Sequence, residues 1–210
     1  VLLDSNAGGY DAGMSTSDRQ VDRAAIAAAA AAIRRGEIVL FPTETYYGLA
    51  VDALDPAALA RLFALKGRSG EKASALLVTD LTMFAGLCAD VPPRARELAA
   101  LHWPGPLTLA LPARAGLPAA ILSEGCVAAR VSPHPLAAAL VRAVGSPITA
   151  TSANRSGAPP TRTVGEALAQ FEGRSIHVLD GGPTPGGAPS TLLGWREGGF
   201  EILRHGATKI

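Results

Sequence analysis

Glu37-Ile-Val-Leu-Phe41-Pro-Thr-Glu-Thr-Tyr46-Tyr-Gly-Leu-Ala-Val51 holds two apolar runs around a polar tip. Residues 37–41 are short, apolar and partly β-branched, which reads as a buried strand that Pro42 ends. Residues 46–51 read as a second strand. Two threonines and a carboxylate sit at the tip between them. Hydroxyls so placed can bind a small polar ligand. They can also simply close a polar turn, the commoner use of such a sequence.

Outward from this segment, helical and strand signals alternate along the chain. Upstream, Ser17 and Gln20 form a capping box for an alanine-rich helix, which ends at Arg34, Arg35 and Gly36. Residues 1–16 are rich in Gly, Ser and Asp without any period and read as a loose arm. The organisation expected is therefore an arm over 1–16 and one domain over 17–210. Downstream, Asp55 and Pro56 supply a cap and a first-turn proline for a helix to about Leu65. Strands are expected over 74–79, 106–111, 127–131 and 147–151, with short ones near Ile176, Thr191 and Ile202. Helices are expected over 81–89, 93–102, 136–144 and 164–171. This mixture without internal repeats predicts a single α/β domain, and the spacing leaves the direction of the strands open. The Gly/Pro-dense stretch 181–189 reads as an ordered loop.

Composition narrows the class. Of 210 residues, 48% are apolar and 18% are charged, which excludes a disordered chain. A net charge of +1 gives no argument for nucleic acid by itself. The longest apolar run, 24–33, is too short to span a bilayer, so no membrane association is expected. Cys88 and Cys126 form no CxxC pair and read as reduced thiols, which predicts a cytoplasmic protein. The first residue is Val1 rather than Met, so a processed or trimmed start is expected.

The chain also lacks several signatures. It has no GxSxG elbow and no catalytic cysteine motif. His102, His134, His177 and His205 show no metal-ligand spacing, and no protein metal site is expected. Gly67-Arg-Ser-Gly-Glu-Lys72 departs from the phosphate-loop pattern, because Ala73 follows the lysine. An enzyme built from this sequence would work by positioning substrates and neutralising charge, without a covalent intermediate.

Five further constellations can carry such chemistry. Lys66, Arg68 and Lys72 end a helix in a Gly/Ser loop; they can wrap a polyphosphate or merely cap the helix. Trp103-Pro-Gly-Pro-Leu-Thr108 places Thr108 at a strand start, with Trp103 in a packing role. Arg130 lies in the apolar run Val127-Ala-Ala-Arg-Val131, where it must be paired. Its fork suits a ligand carboxylate, or a structural ion pair with a core Asp or Glu. Ile148-Thr-Ala-Thr-Ser152-Ala-Asn154-Arg-Ser-Gly157 runs from a strand into a polar loop suited to phosphate or base recognition, or to satisfying its own backbone. Gly181-Gly-Pro-Thr-Pro-Gly-Gly-Ala-Pro-Ser190-Thr191, followed by Arg204, can approach a ligand closely. It can equally be a surface loop with a solvated arginine.

Together, in order and spacing, these segments resemble the YrdC-like family of threonylcarbamoyl-AMP synthases. The most specific pieces are Pro42–Leu49, Leu65–Arg68, Trp103–Leu109, Thr151–Gly157 and Asp180–Thr191 followed by Ile202–Ala207. The resemblance implies a single-domain α/β fold with a twisted mixed sheet, flanking helices and an open concave basic cavity. It implies synthesis of threonylcarbamoyl-AMP and pyrophosphate from L-threonine, bicarbonate and ATP, a nucleotidyltransferase reaction with Mg²⁺ accompanying the nucleotide. The product is then handed to a complex that builds threonylcarbamoyladenosine in tRNA. By the same resemblance, Thr43, Arg130 and Ser190 match threonine-binding positions. Lys66, Ser152, Asn154 and Arg204 match ATP-binding positions, and Lys66 with Arg68 would stabilise charge on the reacting phosphate.

The chain departs from the family pattern at Ala73 and Ser74, where Pro-Leu is usual, and at Cys126, Ser132 and Pro160. The extra C-terminal domain of longer relatives is not expected, which makes this the short form. Two other readings compete. One is a binding module of the same fold that holds RNA or nucleotide without turnover, and weak RNA binding is possible in either case. The other is a paralogue activating a different carbamoyl group, like the related domain of hydrogenase maturation proteins.

Overall fold

The opening segment forms the expected pair of strands. The computed structural model describes residues 16–67 and 73–210, with side chains from 23 onward. The arm expected over 1–16 and the Ser17–Gln20 cap lie outside the described side chains. β1 (Val39–Pro42) and β2 (Tyr47–Ala50) are antiparallel, with Val39 opposite Ala50 and Pro42 opposite Tyr47. Every residue of both strands is buried. Leu40, Tyr47 and Leu49 enter one hydrophobic core, while Val39, Phe41 and Ala50 enter a second. Burial on both faces is why these strands read as continuous apolar runs rather than as alternating ones. β9 (His177–Val178) lies parallel to β1 and pairs only with Val39 and Leu40, so the missing N–H of Pro42 breaks no bond with it.

The sheet is in two parts. The first has the order β8-β2-β1-β9, where β8 is Thr151–Ser152. The second has the order β11-β10-β4-β6-β3-β7, with β5 paired beside β6. Its members are β3 (Leu76–Leu77), β4 (Leu107–Pro112), β5 (Leu122–Ser123), β6 (Cys126–Arg130), β7 (Ile148–Thr149), β10 (Thr191–Arg196) and β11 (Gly199–Arg204). Both sheets are mixed. β1/β9, β4/β10 and β3/β6 run parallel, and the other pairs run antiparallel.

The single strand expected over 147–151 divides between the sheets. β7 pairs with β3 in one, and β8 pairs with β2 in the other. Between them Ala150 N–H donates to Ala75 O at 2.9 Å. A strand that bends to change sheets is a known way to make a corner.

α1 (Thr16–Arg34) and α5 (Pro135–Val144) cover the outer face of the first sheet. α2 (Pro56–Lys66) begins at the predicted cap, where Asp55 Oδ1 accepts from Ala57 N at 2.8 Å and Ala58 N at 3.1 Å. It ends at Gly67, whose φ of 61° favours glycine. α4 (Pro93–His102) and α6 (Val164–Gln170) follow expectation closely. α3 (Leu81–Ala85) is shorter than the expected 81–89. Its continuation leaves the helix because Cys88 bridges Ala113 and Ala89 N–H donates to Pro112 O.

Candidate functional site

The polar tip of the first hairpin faces the end of β6 across a cleft of about 490 Å³. Thr43, Glu44, Tyr46, Arg130, Ser152, Asn154, Ser190 and Arg204 all line it. They come from the β1–β2 turn, the end of β6, the end of β8 and the loop after it, the residue before β10 and the end of β11.

Arg130 ends β6 and is 8% exposed. Its Nη1 lies 2.6 Å from Glu44 Oε1, an ion pair rather than an aligned hydrogen bond. Ser132 Oγ donates to the other carboxylate oxygen at 2.6 Å and also accepts from His134 N–H at 3.2 Å. Burial pushes the Glu44 carboxyl up, but the Arg130 charge, the Ser132 hydroxyl and its own backbone outweigh burial. The group is therefore held below its ordinary range. Both readings of Arg130 thus meet in one place, because its ion-pair partner itself lines the cleft. Burial depresses His134, which Glu44 only partly offsets.

Ser190 and Arg204 form the facing wall. Ser190 Oγ lies 2.7 Å from Thr108 Oγ1. Arg204 donates from Nε and Nη2 to Ser190 O at 3.2 and 2.9 Å, and from Nη2 to Ser190 Oγ at 3.1 Å. Burial and the nearby Arg130 charge lower the Arg204 pKa, so the two guanidinium groups share one field. Gly206 follows against Pro189 and Ser190, so close that a Cβ there would overlap their backbone.

The loop 181–189 is ordered, as expected. The Tyr47 hydroxyl proton is shared between Asp180 Oδ1 at 2.8 Å and Gly182 O at 2.9 Å. Gly186 N–H donates to Thr45 O at 2.7 Å, and Arg162 Nε to Thr184 O at 2.9 Å. Burial and Asp180 push Tyr47 up to about 12, despite the Gly181 N–H, so it keeps its proton.

The other residues predicted for the site differ in how they meet the cleft. Thr43 lines it, but its hydroxyl donates to Tyr46 O at 2.6 Å and accepts from Thr45 and Tyr46 N–H, closing the turn. Ser152 is exposed to the cleft. Asn154 Nδ2 donates to Arg155 O and Ala158 O, while its Oδ1 is buried without a partner among the described residues. Lys66 is 4% exposed and does not line the cleft. Its Nζ donates to Ser152 O and, at 2.8 Å, to Asn154 O, so it holds the polar loop from behind. Arg68 lies outside the described residues. Glu44 and Ser132 are the residues that sequence reading passed over as site members. The signal for them was the unpaired arginine in an apolar strand beside a carboxylate at a strand tip.

A second hollow of about 590 Å³ joins the cleft at Ala73, Ser74, Ala75 and Arg204. Its floor is one face of the second sheet: Thr108 and Ala110, Cys126 and Ala128, Leu192 and Gly194. These alternate along their strands, and all but Leu192 have small side chains, which leaves the space. Burial raises the Cys126 thiol above its ordinary range.

The family model for Sua5/YciO/YrdC, described as telomere recombination, matches residues 31–206. The chain belongs to this family. A threonylcarbamoyl-AMP synthase of Bacillus subtilis is 37% identical over 195 residues, covering 92% of this chain and 55% of that protein. One of Chromohalobacter salexigens is 38% identical, covering 86% and 96%. The structure of P. abyssi Sua5 complexed with L-threonine superposes with a TM-score of 0.80 at 38% identity, covering 86% of this chain and 54% of that one. The chain therefore spans about half the length of some family members and nearly all of others. Among the described residues no helix is long and apolar enough to cross a membrane.

Proposed function

We propose that the chain makes threonylcarbamoyl-AMP and pyrophosphate from L-threonine, bicarbonate and ATP. The observation that carries this is the convergence of Arg130, Ser190, Arg204, Ser152 and Asn154 on one cleft from distant parts of the sequence. Relatives bearing that name, and a relative complexed with L-threonine, support it.

In this reading the accessible N–H groups of Arg130 take the threonine carboxylate, beside Thr43 and Ser190. The apolar hollow on the second sheet receives the adenine, which places the triphosphate at the junction near Arg204 and the 152–154 loop. The free amine of threonine takes up bicarbonate, giving a carbamate and water. A carbamate oxygen then bonds to the α-phosphorus as the bond to pyrophosphate breaks. Arg204, together with Lys66 and Arg68 of the basic motif, would offset the charge gathered there.

Mg²⁺ is expected with the nucleotide, where it would neutralise phosphate charge. Among the described residues no group of three or more His, Cys, Asp or Glu could hold a metal, so phosphate oxygens and water would be its main ligands. Transfer of the product to a tRNA-modifying complex, and weak RNA affinity, belong to the same proposal.

The test is pyrophosphate release from ATP. We expect release only when threonine and bicarbonate are both present. Release without threonine, or none with all three, rejects the proposal, and the second outcome leaves a binding module.

A further inference from the structure

The ion pair at the cleft places a cation and an anion side by side, both open to the same ligand. Arg130 and Glu44 both line the cleft, and Glu44 keeps 18% of its side chain exposed. Oε1 faces Arg130 and Oε2 accepts from Ser132. A carboxylate has about four acceptor sites, so these two contacts leave capacity toward the cleft. An α-amino acid carries its own two charges one carbon apart. A carboxylate docked on Arg130 therefore brings its ammonium alongside Glu44.

We propose that Glu44 is a specificity-determining residue that holds the α-ammonium of the amino acid whose carboxylate lies on Arg130. The inference rests on the reading of this cleft as an amino-acid site. Glu44 is the one acidic residue among the described residues that line the cleft; without it no negative charge would face an ammonium, and the cleft would take hydroxy acids as readily as amino acids. With Glu44 ionised and partly buried beside its partner, a ligand lacking the ammonium leaves the carboxylate facing an uncharged group, which costs affinity. The same oxygen can accept from the nitrogen once a carbamate has formed, because that nitrogen retains one hydrogen.

The test is calorimetric binding of L-threonine and of 2,3-dihydroxybutanoate, which has a hydroxyl in place of the ammonium. The wild-type chain is expected to prefer threonine by about ten- to a hundredfold, the range of one charge-assisted hydrogen bond. Glu44→Gln is expected to bind the two within about threefold of each other, and to keep its affinity for the hydroxy acid. Equal weakening of both ligands would mean that Glu44 only orients Arg130, and that overturns the proposal. So does a wild-type chain that does not discriminate. Should Glu44→Gln fail to fold, Glu44→Asp keeps the charge but draws it back by one methylene; reduced preference for threonine supports the proposal and unchanged preference overturns it. Pyrophosphate release is assayed in parallel. Threonine binding without release removes the synthase reading alone, while release with no preference lost in Glu44→Gln removes this one alone.

Discussion

At the residue scale the Glu44–Arg130 pair decides most. Its side chains are 18% and 10% exposed, so each charge is only partly solvated from the cleft if the other is removed. Arg130→Ala should raise the KM for threonine by about ten- to a hundredfold, the worth of a charged hydrogen bond. It should also lower stability by about 1–3 kcal/mol, because the partly buried Glu44 loses its counter-charge and keeps only the Ser132 hydroxyl. Steady-state kinetics and urea denaturation measure the two separately; a normal KM with reduced stability would make the arginine purely structural. The pair also sets a pH dependence. The folded pKa of Glu44 lies below its ordinary value, held there by Arg130 and Ser132 against burial. Its stabilisation is therefore complete above the unfolded value near ~4.3 and is lost as pH falls through the lower folded value. His134, which also faces Glu44, becomes protonated only at still lower pH than an ordinary histidine. Urea midpoints of wild type and Glu44→Gln should differ at neutral pH and converge in strong acid.

At the element scale α2 links a cap that could be read in the sequence to a role that could not. Asp55-Pro56 and Gly67 mark both ends by local chemistry, so this helix was legible. That its last residue, Lys66, bonds the carbonyls of Ser152 and Asn154 was not, because nothing local connects positions 86 and 88 residues apart. The same holds for Glu44 and Arg130. An arginine in an apolar strand announces a partner but does not say which. Lys66→Met should weaken ATP binding by calorimetry and also shift the urea midpoint, since a hydrogen bond to a charged group is worth about 1.5–3 kcal/mol and two are lost, although Ser152 O still accepts from Asn154 N–H. Weaker binding at unchanged stability would show instead that the ammonium serves the nucleotide directly. Gly206→Ala offers a separate test of the facing wall. Its Cβ would overlap Pro189 and Ser190 backbone, so the end of the chain must move away from Ser190. Threonine KM should rise while α2 and its cap stay intact by helical circular dichroism.

At the scale of the molecule the α/β class was legible from alternating apolar patterns, but the division into two sheets was not. Residues 147–151 read as one strand, and only partners far off in sequence reveal that it serves both sheets. This sharing binds the sheets into one unit. Leu77 of the second sheet is buried among α1, α5 and the first sheet, while Leu40, Tyr47 and Leu49 of the first are buried in the core of the second. Neither sheet can open without exposing side chains that the other covers, so unfolding should be a single transition. Amide protection in α5 and in β4 and β6 should be lost at the same urea concentration. Ala150→Pro sharpens the test. It removes the N–H that donates to Ala75 O at the bend, at a cost of about 1–3 kcal/mol. Both groups of amides should then lose protection earlier by the same amount. Loss confined to one sheet would mean that the cleft lies between two separately stable halves, and a ligand could then tighten the site by drawing them together.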